Sequence, residues 1–205
     1  MLERLADAAL GRGDVTRADR LLEESVPIAR RSGSPIMLTQ ALARAADRAL
    51  ARNDPDRAEA LINELAEAET RSFSSPGMNR GIAASRALVT LARGDARTAL
   101  RPLLESLKYW HERDDEGSFA VALRSFAAAL AADEQTREAV VLAAYADTRE
   151  GAIAKRRGSA NERYGEQVYA AAANALSPAE VSDARKEGEA LRRSEALRLA
   201  QAAVR

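Results

Sequence analysis

Residues 53–58 read NDPDRA, and related stretches recur as GDVTRA at 13–18, GDARTA at 94–99 and, in degenerate form, EQTREA at 134–139. The first residues of these four copies lie 40, 41 and 40 positions apart. A run rich in alanine and leucine precedes each copy, and another follows it. A period in this range is typical of stacked helical repeats, in which each unit packs on its neighbours.

Each copy predicts a tight turn that joins two helices. In the second copy Asp54 is suited to cap a helix N-terminus, and Pro55 is suited to its first position, where the missing N–H would be unpaired in any case. The apolar residues on both sides of the turn recur at steps of three and four, as they do on one face of a helix. One repeat is therefore predicted to be a helical hairpin.

The aligned copies share small residues at fixed distances from the turn. Seven positions before the first residue of each copy stand Ala6, Ala46, Ala87 and Ala127, and five positions after it stand Ala18, Ala58, Ala99 and Ala139. Two helices that cross closely need a residue without bulk at their contact. We expect these alanines to be buried where helices meet.

Further helix starts are predicted between the repeats. Ser34-Pro35 and Ser75-Pro76 each combine a capping residue with a first-turn proline, and the stretch 113–116, with its three carboxylates, takes the same place in the fourth repeat. The first copy has room for only a short leading helix. We expect a truncated first repeat, and hence that the chain is the C-terminal part of a longer protein.

The pattern changes after residue 150. Residues 151–161 are predicted to form a loop, and residues 162–176 are predicted to form a helix. The stretch 177–180 reads SPAE, which is a capping box with a proline at the first helical position. Another helix is expected to begin there and to end or bend at Gly188, before a last amphipathic stretch.

The aligned pattern resembles the tetratricopeptide repeat, which has a small residue in the first helix, a Gly-Asp-like turn and an alanine five residues later. The tail at residues 141–146, 164, 184–191 and 195–197 is similar to the closing segment of large bacterial signal-transduction ATPase regulators, namely LuxR-type, MalT-like and antibiotic-regulatory-type activators. In those proteins an ATPase module precedes a tetratricopeptide-like sensor region. The resemblance implies an all-α fold, a right-handed solenoid of helical hairpins with a period of about 40 and a C-terminal helical cap.

This organisation divides the chain into four repeats over residues 1–150, the first of them truncated, and capping helices over residues 151–205. Apolar residues make up 46% of the chain and aromatic residues only 4%, so the core must consist mainly of alanine and leucine, which suits closely packed helices. Basic and acidic residues number 31 each, which disfavours direct binding of nucleic acid or of an anionic membrane. The absence of cysteine and of a long apolar run fits a cytoplasmic location.

Sequence motifs for catalysis are absent. The chain has no phosphate-binding loop and no nucleophile elbow, and its single histidine, His111, rules out a pair of histidine ligands for a metal. We expect no catalytic residue, no cofactor and no metal site. The aromatic cluster 109–111 either stacks on a ligand or packs at a helix end, and packing is favoured. The basic run 155–157 either meets phosphate or lies in a solvated loop, and the loop is favoured.

The resemblance also implies a concave face lined by the first helices of the repeats. Mapped by distance from the turn, this candidate groove would present Gln40, Arg44, Asp47, Ser85, Arg124 and Ser125. Arg86 replaces a core apolar residue in the register, so its side chain either snorkels to solvent or reaches into the groove. Arginines on such a wall can hold a carboxylate or phosphate bidentately. The other interpretation is an ordinary solvated surface.

These features predict a non-enzymatic domain for protein interaction or effector sensing within a bacterial transcriptional or signalling regulator. A peptide, a protein or a small effector is expected in the concave groove, and the remainder of the larger regulator is a further expected partner. The alternative is a purely structural module that mediates self-association, for example as a homodimer. Neither direct nucleic-acid binding nor membrane binding is expected.

Overall fold

The structure, a computed structural model, describes residues 2–71, 76–149 and 158–204. These residues form eleven helices and no strand, so the described chain is all-α. The predicted repeats contain α1 (Leu2–Gly11), α2 (Val15–Ser32), α3 (Pro35–Ala51), α4 (Pro55–Arg71), α5 (Pro76–Ala92), α6 (Ala96–Glu112), α7 (Glu116–Ala132) and α8 (Thr136–Arg149). The C-terminal helices are α9 (Ala160–Ala175), α10 (Pro178–Ala190) and α11 (Arg193–Ala203).

The four predicted turns lie between α1 and α2, α3 and α4, α5 and α6, and α7 and α8. The first residue of every copy adopts a left-handed backbone conformation, with φ angles of 77° for Gly13, 58° for Asn53, 92° for Gly94 and 65° for Glu134. Glycine and asparagine tolerate this conformation well, which explains why they open three of the four copies. The degenerate fourth copy places a glutamate in the same strained position.

The alanines of the repeat register are buried, as predicted. Those five positions after the first residue of each copy have no exposed surface, and those seven positions before it are at most 4% exposed. From α1 to α8, each helix packs on the helix that follows it in the chain. Small residues at these contacts let the helix axes approach closely, while Leu42, Ile62 and Leu123 fill the space around them.

The predicted helix starts are also confirmed where the structure describes them. Ser34 caps α3 by accepting a hydrogen bond from the Met37 amide at 3.4 Å, and Asp115 caps α7 by accepting one from the Ser118 amide at 2.9 Å. Helix α5 begins at Pro76, whereas its predicted capping residue, Ser75, lies outside the described residues. Helix-start chemistry therefore places the boundaries between the helices of successive predicted repeats.

The aromatic cluster 109–111 packs within and between helices, as its favoured interpretation predicted. The rings of Tyr109 and Trp110 meet edge to face with centroids 4.9 Å apart, and the guanidinium of Arg113 lies 3.7 Å from the Tyr109 ring centroid. The His111 ring lies 6.1 Å from that of Phe119 on α7. The cluster thus joins the end of α6 to α7.

The C-terminal helices pack back on the earlier ones. Helix α10 lies along α8, α11 contacts α6, α7 and α8, and α9 contacts α3, α7 and α8. The capping box at Ser177 and Glu180 is present, and α9 begins at Ala160, two residues before its predicted start. Most of the predicted loop at 151–161 lies outside the described residues.

Gly188 does not end its helix. Helix α10 continues to Ala190, and a Cβ atom added at Gly188 would lie 2.1 Å from the backbone oxygen of Val141. No real Cβ contact is this short, so the glycine is required by the close approach of α10 to α8.

We expect the buried alanines to be the least replaceable residues of the repeats. Ala58→Leu on α4 adds bulk at a completely buried helix contact, and overpacking should lower the free energy of unfolding by about 1–3 kcal/mol. Ala60→Leu adds the same atoms to an exposed position of the same helix and should change it by less than about 0.5 kcal/mol. Urea unfolding measures both variants, and equal losses would contradict the proposed packing role.

The left-handed turn residue provides a second prediction, with effects of opposite sign at two glycines. Gly94→Ala meets no atom within 4 Å but forces a side chain into the left-handed conformation, which should destabilise the chain by about 1 kcal/mol. Gly81→Ala, also in open space but in the middle of helix α5, should stabilise it by roughly 0.5–1 kcal/mol. Thermal unfolding of both variants should show melting temperatures that move in opposite directions.

Candidate functional site

Helix α9 lies across α3 and α7, the first helices of two predicted repeats. Its N-terminus is capped by Ser159, whose side chain accepts a hydrogen bond from the Glu162 amide at 3.2 Å. Tyr164, Val168 and Ala172, spaced four residues apart, form its buried face and are at most 2% exposed. The chain's own helix therefore covers part of the face that the sequence predicted as a partner groove.

The N-terminal end of α9 is attached to α3 by polar contacts. The Ala160 amide donates to Asp47 Oδ1 at 3.3 Å, and Arg48 Nη1 donates to the Gly158 carbonyl oxygen at 3.0 Å. Arg48 Nε also donates to Asp19 Oδ1 on α2 at 2.5 Å, so one arginine connects three parts of the chain. A helix N-terminus presents unpaired amides and a positive dipole end, which explains why a carboxylate lies beside it.

The electrostatic environment of Asp47 is mixed. Burial raises the pKa of its carboxyl and the nearby Asp7 carboxylate adds to this effect, whereas the Ala160 amide, Arg44 and Arg48 act in the opposite direction. Burial dominates, so the pKa lies above its ordinary value. Tyr164 lies nearby, and its buried hydroxyl has no hydrogen-bond partner among the described residues.

The middle of α9 is attached to α7 and α8 around Arg124. A Cβ atom added at Gly165 would lie 3.2 Å from Arg124 Cδ, so the glycine gives the arginine side chain room to pass α9. Arg124 forms an ion pair with Asp147 of α8, and the Tyr169 hydroxyl donates to Asp147 Oδ2 at 2.6 Å. Only 9% of the Arg124 side chain is exposed, whereas Asp147 is 32% exposed, so the arginine is the buried partner of this ion pair.

The structure distributes the predicted groove residues over different environments. Asp47 and Arg124 lie under α9, and Arg44 forms an ion pair with Asp7 of α1. Ser125 is buried and donates to the Val121 carbonyl oxygen at 3.4 Å. These four residues therefore make contacts within the chain.

The other three predicted groove residues keep more contact with solvent. Gln40 is exposed and Ser85 is half-buried. Arg86 is exposed and donates to Asn63 Oδ1 at 3.2 Å, as a snorkelling side chain would. None of them lines the cleft described below.

Arg163 is a site residue that the groove prediction missed. Its Nη1 donates to the Leu50 carbonyl oxygen at 2.6 Å, and its Nη2 donates to Asn53 Oδ1 at 2.6 Å. Both acceptors are uncharged and lie at the C-terminal end of α3 and in the turn after it. The signal was present in the sequence, because the apolar spacing of Tyr164 and Val168 marks a helix face that needs a partner and Arg163 adjoins that face.

An open cleft of about 440 Å³ lies between α5, α7 and α9. Its wall consists mainly of alanines, such as Ala128, Ala131 and Ala171, together with Leu91. Its polar groups come from the side chains of Asn53, Arg163, Tyr164 and Gln167. Helix α9 contacts α3, which precedes α5 in the sequence, and α7, which follows it. The cleft opens at the C-terminal end of α5. Its volume falls in the range of small-molecule sites, about 300–1,000 Å³.

Within the described ranges, no group of three or more histidine, cysteine, aspartate or glutamate side chains is placed to hold a metal ion, and no helix has the length and apolar character needed to cross a membrane. The predicted basic run 155–157 lies outside these ranges. Comparison of the chain with protein-family models, with curated proteins and with solved structures found no match. The tetratricopeptide resemblance therefore stays a prediction.

The raised pKa of Asp47 predicts a pH dependence of stability. The carboxyl of Asp47 has an ordinary pKa of 3.8, which applies to the unfolded chain, and its pKa in the folded chain is higher. The folded chain therefore holds this proton more tightly than the unfolded chain does. The contribution of Asp47 to the free energy of unfolding is therefore greatest below that pH and falls as the pH rises above it. Asp47→Asn keeps an acceptor for the Ala160 amide but does not titrate. The stability of the wild-type chain relative to this variant should decrease with rising pH, as measured by urea unfolding at several pH values.

Asp183→Asn is the matched control, because it removes a carboxylate whose side chain is 74% exposed. Its stability relative to the wild-type chain should show a weaker pH trend. The electrostatic assignment would be contradicted if the stability of the wild-type chain relative to Asp47→Asn stayed constant or increased with rising pH.

Proposed function

We propose that this chain is a non-enzymatic sensor domain that binds a small effector at the α5, α7 and α9 cleft. The observation that supports this most directly is the placement of α9, which contacts α3 and α7 and leaves the cleft beside α5 open. A ligand in the cleft would touch three helices that are distant in sequence. It would therefore favour whichever arrangement of these helices it binds best, and this is the physical basis of sensing.

The proposed architecture is a right-handed solenoid of tetratricopeptide-like hairpins with a period of about 40 and a C-terminal helical cap. Its support is the shared register, in which four turns place a left-handed residue and buried alanines at equivalent positions. Repeats of this kind contact mainly their neighbours, so small shifts at each contact add up along the array. The division into repeats at 1–150 and a cap at 151–205 belongs to the same proposal.

The proposed parent is a large bacterial regulator of the LuxR, MalT-like or antibiotic-regulatory type, acting in the cytoplasm in transcription or signalling. The support is the similarity of the tail, including Tyr164, together with the repeat pattern. Tyr164 packs at the contact between α9 and the earlier helices, which agrees with a role in joining tail to repeats. The output activities would belong to other parts of such a regulator.

Self-association is the alternative, and a specific feature of the surface favours it. Five large apolar side chains on the first three helices are more than 40% exposed: Leu5, Val15, Ile28, Ile36 and Met37. Ile36 is the most exposed of these, at 70%. A second copy could cover such side chains, because exposed apolar groups favour protein contacts.

The sensor proposal predicts that stabilising ligands act through the cleft. Compounds that raise the melting temperature of the wild-type chain in a thermal-shift screen should have no effect on Ala131→Phe, which fills the cleft from α7. Ala173→Phe adds the same ring at an exposed position of α9 outside the cleft and should respond like the wild type. Arg124 is unsuited to such a test, because removing it would leave the Asp147 carboxylate without this ion pair.

Sedimentation over a roughly hundredfold range of concentration distinguishes the two functions. A sensor domain should show no tight dimerisation that closes the cleft. A tight dimer that Ile36→Glu dissociates, together with the absence of any stabilising compound, would overturn the sensor proposal in favour of self-association.

A further inference from the structure

The cleft has one charged side chain on its wall, and that charge is held in place by uncharged groups. Arg163 donates to the Leu50 carbonyl oxygen and to the side-chain oxygen of Asn53, both at 2.6 Å. Among the described residues, no carboxylate forms an ion pair with Arg163. Most other arginines that hold α1, α2, α3, α7 and α11 together have a carboxylate partner, so Arg163 differs from them in kind.

The position of Arg163 is already fixed before any ligand binds. The two hydrogen bonds hold the guanidinium against the end of α3 and leave its remaining N–H donors without a protein acceptor in the described chain. An ordered guanidinium loses little further side-chain entropy when it binds an anion. This arrangement favours a ligand with one negative charge at this edge of the cleft.

The remainder of the wall favours an apolar body on the same ligand. Leu91 and Ala92 come from α5, Ala128 and Ala131 from α7, and Ala171 from α9. No acidic side chain lies on the wall to repel an anion. Alanines leave space that a ligand of modest width can occupy, and contact with them removes apolar surface from water.

We propose that the cleft binds an amphiphilic monocarboxylate, a small apolar molecule whose carboxylate pairs with Arg163 while its hydrocarbon part lies on the alanine-rich wall of α5 and α7. The proposal rests on the proposed function, because it names the chemical class of the effector that the sensor domain would bind. Binding itself is measured without reference to signalling. A ligand of this class would connect α9 to α5, two helices that do not pack extensively on one another in the described chain.

The test uses octanoate and octanamide as probes, with the whole wild-type chain in both cases. The two molecules share the same hydrocarbon chain, but only octanoate carries a charge. Isothermal titration calorimetry should show saturable binding of octanoate with one site, and octanamide should bind at least about tenfold more weakly because it lacks the charge-assisted hydrogen bonds. This comparison changes no residue, so it does not depend on a variant that folds.

Two pairs of variants locate the binding. Arg163→Met keeps an apolar stem but removes the charge, and it should reduce the preference for octanoate over octanamide to about twofold or less. Arg163→Lys keeps the charge without the planar fork and should retain part of the preference. Ala131→Phe should abolish binding of octanoate, whereas Ala173→Phe, outside the cleft, should leave it within about twofold.

Equal affinity for octanoate and octanamide, or unchanged octanoate binding to Ala131→Phe, would overturn the proposal, as would the absence of saturable binding. The proposed function fails separately. Octanoate that binds as expected but leaves hydrogen exchange of α9 and α5 unchanged would support the ligand class and contradict sensing. Stabilising compounds that depend on the open cleft but not on Arg163 would support sensing and contradict the ligand class.

Discussion

The close contact of helices at alanine residues is the constraint on which this structure depends. Ala18, Ala58, Ala99 and Ala139 have no exposed surface, because each lies where two helix backbones approach one another. Leucines fill most of the space around these contacts, and the few aromatic residues, among them Phe126 and Tyr145, are buried with them. A tight turn with a left-handed first residue is then needed to bring the two helices of a hairpin together over a short distance.

Small residues also allow the C-terminal helices to pack closely on the earlier ones. Helix α10 approaches α8 so closely that Gly188 has no room for a side chain, and Gly165 leaves space for Arg124 as it passes α9. Polar contacts then hold α9 at separate points, through Asp47 at α3 and through Asp147 at α8. Helix α9 is thus held at α3 and at α8, and the cleft beside α5 stays open between α5, α7 and α9.

The candidate site was only partly predictable from the sequence. Counting from the turn identified Asp47 and Arg124, and the structure places both under α9. The count carried no information on what covers them, because α9 follows its contacts on α3 by more than a hundred residues. Arg163 was missed for the same reason, since its importance comes from Leu50 and Asn53, two residues far from it in the chain.

The sequence by itself determined the local elements, because its signals act within a few residues. The turn copies, the capping residues Ser34 and Ser177 and the alanine register predicted where helices begin and which faces are buried. Only the tertiary structure decided where α9 lies, which charges are satisfied within the chain and which one, Arg163, is left facing a cleft. Those outcomes depend on contacts between residues that are far apart in the sequence and on whether each buried charge finds a partner there. A pattern that extends over a few residues contains neither kind of information.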